Sequence, residues 1–355
     1  MKATLLSFIA LSSLILSCTN KEESTLLESA SIFDDNLISQ NLTNKSILST
    51  NCPKPADANL FIAITNNNSN VLNRSQNGMG TWVLIPELSN EFNYSSKTDP
   101  AFTTDWKDSY INSWTGPAPT KWVASGSSLG TAPTGEKCII LQATKVGNTL
   151  ECGMVTSKAK ATFPLYQEAR VRISDSHLAN AVWMLSTDSR EEIDNLESYG
   201  DKLGSKPYFG DKLHLSHHTF KDIAGVRKDY QPQLETWMIR KTGAGCNATD
   251  DVKWNTAFHI FGVKWVNATN LEYYVDGVKV RTVTGTDIDP NGYTDCSGMK
   301  KALHMIISQA AQTWRFADMN EFFNQNITNG ARTKMYIDWI RVYRPNQNLG
   351  TSTCN

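Results

Sequence analysis

A chain of 355 residues with 40% hydrophobic content can bury a full core, and its formal charge of -1 excludes the basic excess of a nucleic-acid binder. The same composition excludes a disordered protein. No phosphate loop, nucleotide fingerprint or redox-cofactor motif occurs along it.

The first element is an export segment over 1–18: Lys2, an apolar run from Leu5 to Leu16, then Ser17-Cys18. Its apolar run is too short to span a membrane comfortably. Ile15-Leu16-Ser17-Cys18 resembles a bacterial lipobox, which implies lipidation of Cys18 and contact with the outer membrane through that anchor alone; a plain secretory signal is the alternative. From 19 to 80 the chain is rich in Ser, Asn and Thr, centred on Thr65 to Asn70, and reads as a tether or loosely ordered lead-in. Within it, Asn59 to Ile64 is an apolar run that a short strand would suit.

Export leaves six cysteines in the mature chain: Cys52, Cys138, Cys152, Cys246, Cys296 and Cys354. In an oxidising compartment disulfides are expected, with Cys138 to Cys152, Cys52 to Cys354, and Cys246 to Cys296 as the expected pairs among fifteen pairings. No CxxC spacing suggests zinc.

After Trp82 the texture changes to short strand-like runs punctuated by Gly, Pro and Asn, without long amphipathic helices. The predicted strands are 137–144, 154–160, 166–173, 181–186, 191–198, 213–220, 258–266, 271–275, 279–283, 303–308 and 335–343. Asp276-Gly277 suits a type I′ hairpin turn between two of them. Such a pattern over 81–346, followed by a short tail, predicts an all-β sandwich or jelly roll.

Glu192-Ile193-Asp194-Asn195-Leu196-Glu197 stands out within these runs. In a regular strand Glu192 and Asp194 share a face and Glu197 points to the other. A single β-bulge would bring all three together, as a pair of carboxyl groups must be for retaining glycoside hydrolysis. The alternative is a solvated edge strand whose acids do nothing. Glu191 should face away from the group.

Around this strand lie residues suited to a sugar. Ten tryptophans are more than a core of this size usually holds, and indole rings suit sugar stacking. Trp183 fits either a cleft or the core, whereas Trp114 sits in a Gly/Pro loop where a core role is less natural. Alternation puts His214, Ser216 and His218 on one face, suited to hydrogen bonding a polyhydroxylated ligand better than to metal binding, with a satisfied structural cluster as the alternative. Trp314-Arg315 places an aromatic beside a planar cation, which could grip a sugar ring and its substituents or stack on itself at the surface.

The hexapeptide and its continuation Ser198-Tyr199-Gly200 resemble the signature of glycoside hydrolase family 16, and within it the branch acting on red-algal galactans, the β-agarases and β-porphyranases. The stretches Trp106 to Pro117, His214 to Phe220, Asp229 to Pro232, Gln312 to Arg315 and Ile337 to Tyr343 occur in the order of that family, so the resemblance covers about 82 to 345. It implies a curved β-jelly roll of two antiparallel sheets with an open cleft, Glu192 as nucleophile, Glu197 as general acid/base and Asp194 between them, helping to keep the proton on Glu197. It further implies a monomer acting on an agar-type polysaccharide. It requires no cofactor and allows a structural calcium ion whose ligands the sequence does not name. Ala118-Pro119, Ile306 to Ala311 and Asp222 to Arg227 depart from the family pattern, which leaves agarose, porphyran or another modified agar open. A transglycosylase would share every catalytic residue, and a binding-only jelly roll would have no use for the three acids.

Overall fold

Alternating apolar residues in the predicted strands point into one shared interior, and that alternation organises the molecule. The computed structural model describes residues 71–72, 82–210, 212–232, 237–238, 253–294 and 298–345. One sheet, here the cleft sheet, runs in the order Val226–Tyr230, Leu213–Ile223, Glu191–Ser198, Ala179–Ser186, Leu303–Ala310, Met154–Ala161 and Trp106–Lys107. The other, the back sheet, runs Val71–Leu72, Trp82–Leu84, Met335–Pro345, Leu165–Arg172, His259–Asn267, Asn270–Val275 and Val278–Thr284, with Lys137–Leu141 and Ser127–Thr131 branching from Met335–Pro345. All pairings in these two sheets are antiparallel, and a small third sheet holds Thr120–Trp122, Thr149–Cys152 and Thr144–Val146.

Val182, Met184, Ile193, Leu196, Leu215, Met305 and Ile307 of the cleft sheet pack with Ala169, Val171, Phe261, Val263, Trp265, Ile337 and Val342 of the back sheet in one buried cluster. This is the expected two-sheet sandwich. The predicted strands are all present, and the Asp276-Gly277 turn has φ 50° and 80° at its two residues, as a type I′ turn requires. Several short strands escaped the sequence reading. Val226–Tyr230 is one, because its Arg, Lys and Asp residues carry no apolar alternation, as suits an edge strand. The Asp222 to Arg227 segment is the tip of the hairpin that this strand completes, turning through Ala224 and Gly225 at φ 51° and 78°. Val71–Leu72, within the segment read as a lead-in, pairs with Trp82–Leu84.

The expected Cys138 to Cys152 disulfide is absent: both are buried free thiols. Cys138 lies in a strand of the back sheet beside Ala132 and Ile140, and Cys152 in the small third sheet beside Ala143 and Leu150, so separate apolar clusters hold them apart. Burial raises both thiols, Cys138 to about 12. Cys18, Cys52, Cys246, Cys296 and Cys354, and the Asn59 to Ile64 run, lie outside the described residues.

Glu191 opens the acidic strand facing away from its neighbour Glu192. It is fully buried, and its Oε2 accepts hydrogen bonds from the backbone N–H groups of Lys300 (2.7 Å) and Lys301 (2.8 Å), anchoring the approach to Leu303–Ala310. Burial raises its carboxyl to about 7. An acid raised in the folded state weakens folding as pH climbs from its unfolded value towards 7. The expected outcome is that Glu191→Gln, which keeps an acceptor for both N–H groups, matches the parent's melting temperature near pH 5 and exceeds it near pH 8; a melting difference independent of pH would contradict this.

Candidate active site

The acidic strand carries its extra residue at Asn195. Against Leu213–Ile223 the register runs Glu192 to His218 and Asp194 to Ser216, then jumps to Glu197 opposite His214. Against Ala179–Ser186 it jumps likewise, from Asp194 opposite Trp183 to Leu196 opposite Val182. Asn195 and Leu196 therefore both turn inward: Leu196 joins the core, and Asn195 Nδ2 donates to Phe261 O of the back sheet at 3.2 Å. Glu192, Asp194 and Glu197 share the opposite face. Slipping the register by one residue would bury a carboxylate among apolar side chains, a loss of roughly 3–5 kcal/mol if unpaired, so packing enforces the bulge.

Each carboxylate has its own surroundings. Tyr199 Oη donates to Glu197 Oε1 at 2.8 Å, and His214 Nδ1 lies 2.8 Å from Glu197 Oε2. Tyr199 reaches back because the chain turns at Gly200, where a side chain would collide with Ser174 O. His218 Nε2 lies 3.6 Å from Asp194 Oδ2 and 3.9 Å from Glu192 Oε1, while its Nδ1 lies 2.9 Å from Asp229 Oδ1 on the next strand.

These contacts divide the charges. Burial, reinforced by Glu192, raises the Asp194 carboxyl well above the usual carboxylate range, and burial also raises Glu192 against the pull of His218. Burial pushes Glu197 up too, but the hydrogen bonds from His214 and Tyr199 outweigh it and hold Glu197 below its ordinary value. These shifts run opposite to the expectation that Asp194 helps keep the proton on Glu197: Glu192 and Asp194 are raised, and Glu197, which meets the two donors, is lowered. Burial pulls His218 down, yet the charges of Asp229 and Glu192 raise it to about 10. His214 is lowered by burial.

Beyond Asp194 lies an aromatic floor. Trp183, cross-strand to Asp194, donates Nε1–H to Ser308 Oγ at 3.1 Å and sits 6.2 Å from Tyr110, whose ring stacks on Trp122 and meets Trp114 edge-on, both at 5.2 Å. Trp114 and Trp183 are both half-buried with this cluster. At the other end Trp314 meets Tyr199 edge-on at 6.2 Å, which links it to Glu197.

Two of the residues expected to touch a sugar lie elsewhere. Arg315 is fully buried: its guanidinium donates to His177 O, Asp201 O and Leu203 O and lies 4.4 Å over the Tyr199 ring, so it supports the loop after the acidic strand. His214 is 1% exposed, and its Nδ1 meets Glu197 rather than solvent. Sequence reasoning missed Tyr199, Tyr110, Trp122 and Asp229. Tyr199 was findable, since two residues after Glu197 it shares that residue's face. Asp229 was not, because only the turn at Ala224-Gly225 returns it to His218.

Glu192, Asp194 and His218 place ligand-type atoms within 4.8 Å of one another, the one such trio among the described residues. Calcium takes oxygen ligands, about six to eight of them, whereas this trio offers two carboxylates and a histidine nitrogen, so it does not suit calcium.

Comparison with known proteins agrees with this geometry. The family described as "Beta-porphyranase A-D, GH16 domain" matches residues 82–345. Beta-agarase AgaA of Microbulbifer thermotolerans is 40% identical over 279 residues, 77% of this chain and 61% of its own length, so this chain spans less than two thirds of that relative. A beta-agarase of Phocaeicola plebeius is 36% identical over 86% of this chain and 92% of its own. The solved structure of beta-agarase A from Zobellia galactanivorans superposes with a TM-score of 0.64 at 37% identity, covering 81% of this chain and 98% of that one. A jelly-roll sandwich with its acids gathered on one bulged strand, matched across three quarters of the chain, belongs to glycoside hydrolase family 16.

Proposed function

We propose that the protein is an endo-acting, retaining β-galactanase of the β-agarase type, cleaving internal β-1,4 linkages of agar-type galactans. The bulge at Asn195 carries this reading, since it puts Glu192, Asp194 and Glu197 on one face of the sheet, next to a cluster of partly buried aromatic rings that includes Trp183 and Trp114. Relatives named beta-agarase at 36% and 40% identity support the substrate class. Export, with lipidation at Cys18, belongs to the same proposal and rests on the N-terminal sequence.

In this reading a Glu192 oxygen bonds to the anomeric carbon as the glycosidic C–O bond breaks, and Glu197 gives its proton to the departing oxygen. Water then loses a proton to Glu197 and displaces Glu192, restoring the original configuration. Asp194, carrying a proton, can donate to Glu192 and orient it. Glu197 is held as a carboxylate when the groove is open, so it must gain a proton before the first step. A sugar covering it removes water and disfavours its charge, which moves the proton in the required direction. Neither step passes through a metal ion or cofactor.

A second reading, a porphyranase acting on sulfated agar, draws on the description of the matching family. Sizing products from agarose, porphyran, carrageenan and laminarin separates the two: we expect new reducing ends from agarose in a ladder of oligomers, whereas cleavage of porphyran alone would favour the second. Glu192→Gln is expected to lower turnover by at least about a thousandfold with an unchanged melting temperature; near-parental activity would remove Glu192 as nucleophile. Tyr199→Phe takes away a donor that holds Glu197 low, and because Glu192 and Asp194 are shifted upward and Glu197 downward, the acidic limb of kcat/KM should move to higher pH. A shift to lower pH would oppose Glu197 as the acid.

A further inference from the structure

Asp229 has no part in the chemistry above, yet its carboxylate is aimed at His218. Both ring nitrogens of His218 face carboxylates: Nδ1 lies 2.9 and 3.0 Å from the two oxygens of Asp229, and Nε2 lies 3.6 Å from Asp194 Oδ2 and 3.9 Å from Glu192 Oε1. A neutral imidazole has one N–H and one lone pair, so it would turn a lone pair towards an acid on one side or the other. A doubly protonated ring donates on both sides. The ring is also clamped in place. Phe220 stacks on it at 5.3 Å and 10°, and the Arg227 guanidinium caps Phe220 at 4.2 Å while donating to Ser189 O.

We propose that Asp229 is a positioning residue that keeps His218 doubly protonated, so that one fixed positive charge faces Glu192 and Asp194 throughout the reaction. Among the described residues, the titratable groups around the ring come from three strands. From the acidic strand come Glu192, Asp194 and Glu197; from its own strand His214 and His217; from the returning hairpin strand Arg227 and Asp229. His214 and His217 are both lowered by burial and supply no competing charge at neutral pH. Asp229 is the group that contacts His218 on the side away from the reaction. Removing it leaves burial, which favours the neutral ring, opposed only by carboxylates that themselves share a proton. A neutral His218 would choose its tautomer freely and leave Glu192 more easily protonated, hence a weaker nucleophile.

The kinetic part rests on Glu192 as nucleophile; the protonation of His218 does not. Titrating ¹⁵N-labelled full-length protein by long-range ¹H–¹⁵N correlation, with His218 assigned by its loss in His218→Gln, reads the ring directly. We expect both nitrogens to stay protonated to about pH 9 in the parent, to lose a proton below about pH 8 in Asp229→Asn, and to recover in Asp229→Glu. A ring already neutral at pH 7 in the parent, or an unmoved titration in Asp229→Asn, overturns the proposal, and the parent measurement alone suffices should the variant not fold. On agarose at about pH 8, Asp229→Asn should lose at least about tenfold in kcat with KM within about threefold, and Asp229→Glu should regain most of it. Full kcat beside a neutral His218 overturns the catalytic half. An active Glu192→Gln would instead fail the nucleophile assignment and leave the titration result standing.

Discussion

One surplus residue in one strand is the constraint on which the site depends. Asn195 has no partner in the ladder on either side, and the register of both neighbouring strands jumps across it. The side-chain period of a strand is two, so without that jump Glu197 would enter the interior beside Ile193 and Asn195, and Leu196 would leave it for the face of Glu192 and Asp194. The sandwich core supplies the enforcing energy. Leu196 is packed among apolar side chains of both sheets, and the Asn195 amide is tied to the back sheet through Phe261 O. That single hydrogen bond contributes about 1 kcal/mol, less than burying an unpaired carboxylate would cost, so packing holds the bulge and the amide refines it.

The gathered acids then pose an electrostatic problem, because like charges on one buried face repel. Two devices answer it. Burial disfavours the charged forms of Glu192 and Asp194, and His218 faces the same pair from the next strand. Glu197 is separated by the bulge and draws instead on Tyr199 and His214, which favours its charged form while burial disfavours that of its neighbours. Differentiation among chemically similar groups therefore follows from which donors each one meets. The outer hairpin joins this network through Asp229, and its tip is the exposed pair Ile223 and Val226, so the polar site and an apolar end of the cleft sheet are parts of one hairpin.

The interior of the molecule accounts for residues whose chemistry looked external. Arg315 stacks on Tyr199 and saturates three backbone carbonyls, which steadies the loop that begins at Gly200. The Tyr199 hydroxyl in turn donates to Glu197, so a buried cation shapes the site from behind rather than from the groove. Cys138 and Cys152 follow the same logic as small apolar core residues in separate clusters.

Strand alternation, the Asp276-Gly277 turn and the Glu-x-Asp-x-x-Glu spacing are local properties, and by themselves they pointed to the sandwich, to the three candidate acids and to the need for a bulge. The shared face of His214, Ser216 and His218 was likewise legible, since it follows from a period of two. Tertiary structure decided which residue is surplus, in which direction each acid is shifted, that Arg315 and His214 serve from behind the acids, and that Asp229 meets His218. Each of these depends on contacts between strands distant in sequence or on desolvation by the opposing sheet. Burial and cross-strand charge are sums over neighbours that no short stretch of chain contains.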